Sequence, residues 1–216
     1  MIQIEGCVES LQAAVAAAAG GADRIELCAR LSAGGTSPDG ALLAACVAQL
    51  AIPVFVMVRP HAGTFSYSPG EHETMLEEIR RAKRAGAHGI VTGTLRPNRT
   101  IDEARTRGLI DAARPLPVTF HRAFDSCDDV EEALDTLIAV GATRVLTSGG
   151  RRGAPEGAAK IAELVRLAAG RIGIMAGGGI NATNVAELVR TSGVHEVHLS
   201  TKDAEKIRRV ALALSR

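Results

Sequence analysis

The sequence predicts an α/β chain folded as a (β/α)₈ barrel of the TIM type, and three observations predict it. Short β-branched apolar runs alternate with helical patterns along the whole chain, eight of each. One phrase recurs four times: Gly21-Ala-Asp-Arg-Ile-Glu-Leu-Cys28, Gly86-Ala-His-Gly-Ile-Val-Thr-Gly93, Gly141-Ala-Thr-Arg-Val-Leu-Thr-Ser148 and Gly193-Val-His-Glu-Val-His-Leu-Ser200. No Pro/Gly/Ser-rich linker divides the 216 residues, so they read as one domain over 1–216. The four phrases lie 65, 55 and 52 residues apart, room for two βα units each. That repetition favours a closed barrel over the alternative, a doubly wound open sheet.

The strands follow in order. Ile2-Gln-Ile-Glu5 opens the chain, and each repeated phrase turns from a helix-capping glycine straight into a strand. Between the phrases lie Ile52-Pro-Val-Phe-Val-Met-Val-Arg59, Leu116-Pro-Val-Thr-Phe-His121 and Ile172-Gly-Ile-Met-Ala176. Helical patterns separate them at about 9–20, 39–50, 71–85, 102–113, 128–140, 156–169, 182–192 and 203–214. Asp39 and Asp128 are the expected N-caps of two of these. Aligning the phrases puts Glu26, Val91, Leu146 and His198 at one register position and Cys28, Gly93, Ser148 and Ser200 two further on. Side chains alternate along a strand, so both sets face the barrel interior, together with Gln3 and Glu5. Ile2, Ile4, Ile25, Leu27, Val145 and Thr147 then face the helices.

Composition narrows the function. Apolar residues make up 46% of the chain but aromatics only 2%, which requires an aliphatic core of the kind parallel sheets carry. Twenty-five Lys and Arg against 24 Asp and Glu give no electrostatic footprint for nucleic acid or for a membrane surface. The opening residues carry no export pattern, and no apolar run approaches membrane-spanning length. Four scattered cysteines without a CxxC then read as free thiols in a cytoplasmic protein.

In such barrels the working residues sit where strands end. Those ends offer Glu5 and Cys7, Glu26 and Cys28, Arg59, Thr92, His121 with Arg122 and Asp125, Ser148, and His198. Buried carboxylates at Glu5 and Glu26 need Arg59, Arg122 or a protonated histidine to stay charged; one without such a partner becomes a general-acid candidate. Gly177-Gly178-Gly179 precedes a helix expected near Asn181, and is either an anion cradle or simply a tight turn. Ser148-Gly149-Gly150 is a second candidate wall of that cradle, with Arg151 and Arg152 as added charge. Cys7 and Cys28 end neighbouring strands and are either inert buried thiols or a soft metal pair suited to Cu(I). Cys46 reads as core packing, and Cys127 as lying at the mouth or its edge. No HExxH or zinc-ribbon spacing appears.

Taken together, Glu5-Gly-Cys7, Gly21–Cys28, Val58-Arg-Pro60, Val91-Thr-Gly93, Thr119–Asp125, Arg144–Gly149 and Met175-Ala-Gly177 resemble the CutC copper-homeostasis family over about residues 2–201. The resemblance implies a cytosolic TIM-type barrel, a dimer or larger homo-oligomer, associated with copper handling. Cys7 and Cys28 match its strand-end cysteines, the implied copper ligands. Glu5, Glu26, Arg59, His121, Arg122 and Asp125 match its polar mouth. Relatives commonly carry a longer polar segment after the last strand, whereas Ser200-Thr201 here runs directly into Lys202–Lys206, implying a more open mouth.

Two functions follow. One is copper-ion binding through Cys7 and Cys28. The other is a cofactor-free enzyme for a small anionic or phosphorylated metabolite. In it His121 is general acid or base, Asp125 or Glu26 its orienting partner, and Arg59 the anion clamp, with Glu5, Arg122, Ser148, Gly177, Gly178, Gly179 and His198 lining the substrate site. A scaffold with a vestigial mouth is a third possibility that fold alone does not separate.

Overall fold

The computed structural model describes residues 1–201 and 203–215. Eight parallel strands close in sequence order into a barrel, each followed by a helix. The strands are β1 (Gln3–Val8), β2 (Arg24–Leu27), β3 (Val54–Met57), β4 (Gly89–Thr92), β5 (Val118–Phe120), β6 (Arg144–Thr147), β7 (Gly173–Gly177) and β8 (Glu196–Ser200). The helices are α1 (Leu11–Ala19), α2 (Gly40–Gln49), α3 (Pro69–Arg84), α4 (Glu103–Ala113), α5 (Val130–Val140), α6 (Ala158–Ala168), α7 (Val185–Ser192) and α8 (Ala204–Leu214).

The glycines that lead the repeated phrases explain how each helix turns back into the sheet. Gly21, Gly86, Gly141 and Gly193 all take left-handed φ, between 70° and 97°, which residues with a Cβ rarely adopt. Helix starts follow side-chain chemistry. Ser68 and Glu71 form a reciprocal capping box with Pro69 in the first turn, so α3 begins two residues earlier than its apolar pattern suggests. Asp39 caps α2 as expected, but Asp129 rather than Asp128 caps α5, accepting from the Glu131 and Glu132 N–H groups. Strand β1 runs three residues past Glu5, because Gly6 is a strand member: a Cβ there would lie 3.2 Å from Ala17 of α1.

The alternation sorts side chains as the register predicts. Ile4, Ile25, Leu27, Val56, Ile90, Val145 and Val197 pack outward against the helices in one large aliphatic core. Cys7, Cys28, Phe55, Met57 and Val91 form a separate cluster inside the barrel. Cys46 lies in the outer core as expected; Cys127 does too, and does not line the mouth. Among the described residues no helix is long and apolar enough to cross a membrane.

Candidate functional site

The floor of the barrel is a buried ion network. Arg24 Nε meets Glu5 Oε2 at 2.5 Å, Arg24 Nη2 meets Glu196 Oε2 at 2.7 Å, and Arg144 Nε lies 2.6 Å from the same Glu196 oxygen. The Arg24 guanidinium also covers the Phe55 ring, 4.8 Å from its centre. Glu5 therefore takes its positive partner from its own neighbouring strand, not from Arg59 or Arg122. Burial alone would raise its pKa; the His198 hydrogen bond and the Arg24 charge outweigh burial and hold it near 2.

Above this floor, β1, β8 and β2 with the residue that follows it bring Cys7, Glu26, Cys28 and His198 together over Glu5. His198 Nδ1 lies 2.7 Å from Glu5 Oε1. Glu5 is held ionised, so Nδ1 carries the donated proton and Nε2 is the nitrogen left over. The Cys7 thiol donates to Glu26 Oε1 at 3.0 Å, and its sulfur is 3.5 Å from that of Cys28. Ligand atoms of Cys7, Glu26 and His198 all lie within 4.8 Å of one another. Among the described residues Glu26 forms no ion pair with an arginine: burial raises its pKa, and its Oε2 has no hydrogen-bond partner. The Cys28 hydrogen bond, burial and the neighbouring Glu26 charge push the Cys7 thiol well up. Burial opposes the charge on His198, yet the Glu26 charge and the Glu5 hydrogen bond raise its pKa.

The opposite wall is built from β3, β5 and β6. The Arg59 guanidinium is committed to the carbonyls of Gly34, Gly35 and Gly63, at 3.1, 2.9 and 3.3 Å, and stacks on Phe65. It fastens two loops over the mouth. His121 Nδ1 accepts from the Ala123 N–H, so Nδ1 carries the lone pair and Nε2 the proton. Burial, then the Arg59 charge, lower its pKa to about 3, leaving a neutral Nε2–H group with no partner among the described residues.

The expected pairing of His121 with Asp125 is not what forms. Asp125 accepts from Arg122 Nε, Thr147 Oγ1, Ser148 N and Oγ, and Gly150 N. Its carboxylate thus fills the loop after β6, and the Ser148-Gly149-Gly150 N–H groups that sequence offers to an external anion are already taken: Gly149 N donates to Thr147 Oγ1. After β7, Gly178 and Gly179 both have positive φ, but α7 starts at Val185. Asn181, Thr183 and Asn184 delay it by hydrogen-bonding one another in side-chain turns.

A cavity of about 510 Å³ opens between the two walls. Cys7, Glu26, Arg59, His121, Arg122, Asp125, Gly178 and His198 reach it; Glu5, Cys28, Ser148 and Gly177 are buried without lining it, and Gly179 is exposed outside it. Sequence reasoning missed Phe65, Met57 and the Gly34-Gly35 turn at the rim, although that glycine pair was a visible turn signal. It also missed Arg24, a charged residue at a strand start that reads as surface. The short passage after Ser200 falls partly on Lys202, outside the described residues; Asp203 caps α8.

Comparison with known proteins places this geometry. The CutC family model matches residues 2–203. The copper homeostasis protein cutC homolog of Homo sapiens is 48% identical over 199 residues, covering 92% of this chain and 73% of that protein. A family protein CutC of Vibrio cholerae is 46% identical over 202 residues, covering 93% and 80%. A crystal structure from Streptococcus agalactiae, described under the name copper homeostasis protein CutC, superposes with a TM-score of 0.87 at 35% identity, covering 92% and 98%.

Proposed function

The chain belongs to the CutC family, and on that premise we propose that it binds copper as Cu(I) at the barrel mouth, through Cys7 and Cys28, in copper homeostasis. The observation that carries this reading is the approach of the two sulfurs to 3.5 Å at the ends of adjacent strands. Two thiolates in a confined, water-poor site are the donor set soft Cu(I) prefers. Neither sulfur is used in a disulfide. Cys7 opens onto the cavity and Cys28 backs it, which gives an ion one accessible ligand and one buried one. Copper is the cargo here, and a cytoplasmic dimer or larger homo-oligomer belongs to the same reading.

Anaerobic titration of the reduced protein with Cu(I) against a competing chelator tests it, beside Cys7→Ser and Cys28→Ser. Stoichiometric binding lost in both variants supports it. Binding indifferent to both serines removes it.

A second reading draws on the rest of the mouth, which copper does not use. The cavity has the volume of a small-molecule site, and three buried polar atoms of residues in its walls, His121 Nε2, Glu26 Oε2 and Arg59 Nε, are unpartnered among the described residues. A small anionic metabolite is the ligand class this favours, with Arg122 and Arg151 at the rim supplying positive charge. In that reading Glu26, not His121, is the proton-transfer group, and His121 is a hydrogen-bond donor. Thermal stabilisation by a panel of phosphate- and carboxylate-bearing metabolites, lost in Glu26→Gln, would support it.

A further inference from the structure

The geometry points to a second metal-binding set in the same mouth: Cys7, Glu26 and His198 form a three-ligand site for a divalent, zinc-class cation, with Glu5 as its outer carboxylate. Three features carry this.

The first is the spacing. Around a tetrahedral ion with bonds of about 2.0–2.3 Å, ligand atoms stand roughly 3.3–3.8 Å apart. Atoms of Cys7, Glu26 and His198 already lie within 4.8 Å, on three consecutive strands of the closed barrel, β8, β1 and β2. Side-chain rotation alone can close that gap.

The second is the orientation of His198. A metal-bound histidine characteristically gives its other ring N–H to a carboxylate, which fixes the ring and raises its basicity. His198 does this with Glu5 at 2.7 Å, and Glu5 is itself pinned by Arg24 at 2.5 Å. Nothing in the copper(I) reading requires that relay.

The third is the unfinished chemistry of Glu26. It is 2% exposed, its Oε2 lacks a partner among the described residues, and its Oε1 is held only by the Cys7 thiol proton. A proton sits between two anionic ligand atoms where a cation would complete both. One thiolate, one carboxylate and a neutral imidazole give a divalent ion charge balance and leave a fourth position. Cys7, Glu26 and His198 all line the cavity, so that position is available to water or a small ligand. The two donor sets share only Cys7, so this assignment stands or falls separately from the copper(I) reading.

Co(II), titrated anaerobically into the reduced full chain and displaced by Zn(II), is the probe, with Cu(I) titrated in parallel. Expected are one Co(II) per chain and a thiolate-to-cobalt charge-transfer band. The band disappears in Cys7→Ser and His198→Ala and persists in Cys28→Ser. Glu5→Gln lowers Co(II) affinity about 10- to 100-fold, the usual effect of losing an outer carboxylate; circular dichroism checks that each variant is folded. Absence of the band in the wild type overturns the assignment. So does a band that survives His198→Ala. Loss in both His198→Ala and Cys28→Ser would make one four-ligand site and overturn the two-set assignment. If Cu(I) binding fails while the Co(II) pattern holds, the copper reading falls and this one stands.

Discussion

Arg24 and Glu5, on neighbouring strands β2 and β1, form an ion pair of 2.5 Å inside the barrel, with side chains only 7% and 1% exposed. Charges so placed are stable only as a set. Arg24→Ala leaves Glu5 and Glu196 short of a cation, and we expect a loss of about 3–5 kcal/mol in unfolding free energy. Replacing Arg24 with Met, which keeps volume but not charge, should cost nearly as much, because the stranded carboxylates dominate over the lost packing. Urea unfolding at neutral pH measures both. A Met variant as stable as wild type would show that the network is dispensable.

That pair also marks the limit of what the sequence reveals. The barrel, its strand order and its inner face were legible because four phrases repeat, and a shared register puts Glu26, Val91, Leu146 and His198 at one position. The helix-leading glycines were legible because only a left-handed turn demands glycine there. Partnership was not legible. Which cation answers Glu5 depends on the stagger between strands, which pairs Glu5 with the Arg24 position on one side and with His198 on the other. Local sequence carries no trace of that stagger. Asp125 was misread for a related reason: near His121 in sequence, it turns across to the end of β6 and the loop after it, where Thr147 Oγ1, Ser148 N and Oγ, and Gly150 N donate to it, with Arg122 Nε as a fifth donor from its own segment.

Asp125 should accordingly behave as a structural anchor. Asp125→Asn keeps the shape but removes the charge and turns one acceptor into a donor facing N–H groups. A buried donor left unsatisfied costs about 1–3 kcal/mol, and more where a charged partner is lost. We expect a destabilisation of about that size, with faster hydrogen exchange at Ser148 and Gly150, and Cu(I) affinity unchanged within twofold. Exchange protection that survives the substitution would contradict the anchoring role.

His121 sets an acid limit on stability. In the unfolded chain it gains a proton near pH 6.5; in the fold it does so only near pH 3. Between these values the unfolded state binds more protons, so stability falls as pH falls. The contribution is full above about pH 6.5 and gone below about 3, and is on the order of a few kcal/mol. His198, with its raised pKa, acts in the opposite sense: its contribution is full at low pH and fades as pH rises. Glu5 adds a further loss only below about pH 4.5. Chemical denaturation of wild type and His121→Gln from pH 7 to 5 should therefore converge as pH drops. Parallel curves would mean that His121 takes up its proton equally in the folded and unfolded chain, with no lowering of its pKa by the fold.

The seat of His121 can be tested without touching the histidine. A Cβ at Gly93 would lie 2.6 Å from Cε1 and Nδ1 of the His121 ring and 3.1 Å from the Phe120 ring, closer than atoms pack. Gly93 has no positive φ, so its backbone accepts alanine and the cost falls on the neighbours. The ring is already held by Phe65, 5.0 Å away between centres, and by the Ala123 N–H. Gly93→Ala must push it toward the cavity, breaking the Ala123 hydrogen bond and bringing water to Nδ1. Overpacking of this kind costs about 1–3 kcal/mol. The diagnostic result is spectroscopic: in nitrogen-15 spectra His121 should show the Nε2–H tautomer with no titration between pH 5 and 8 in the wild type. In Gly93→Ala it should titrate near the ordinary histidine value. A silent His121 in both proteins would mean that burial alone, and not its seat on Gly93, keeps the ring neutral.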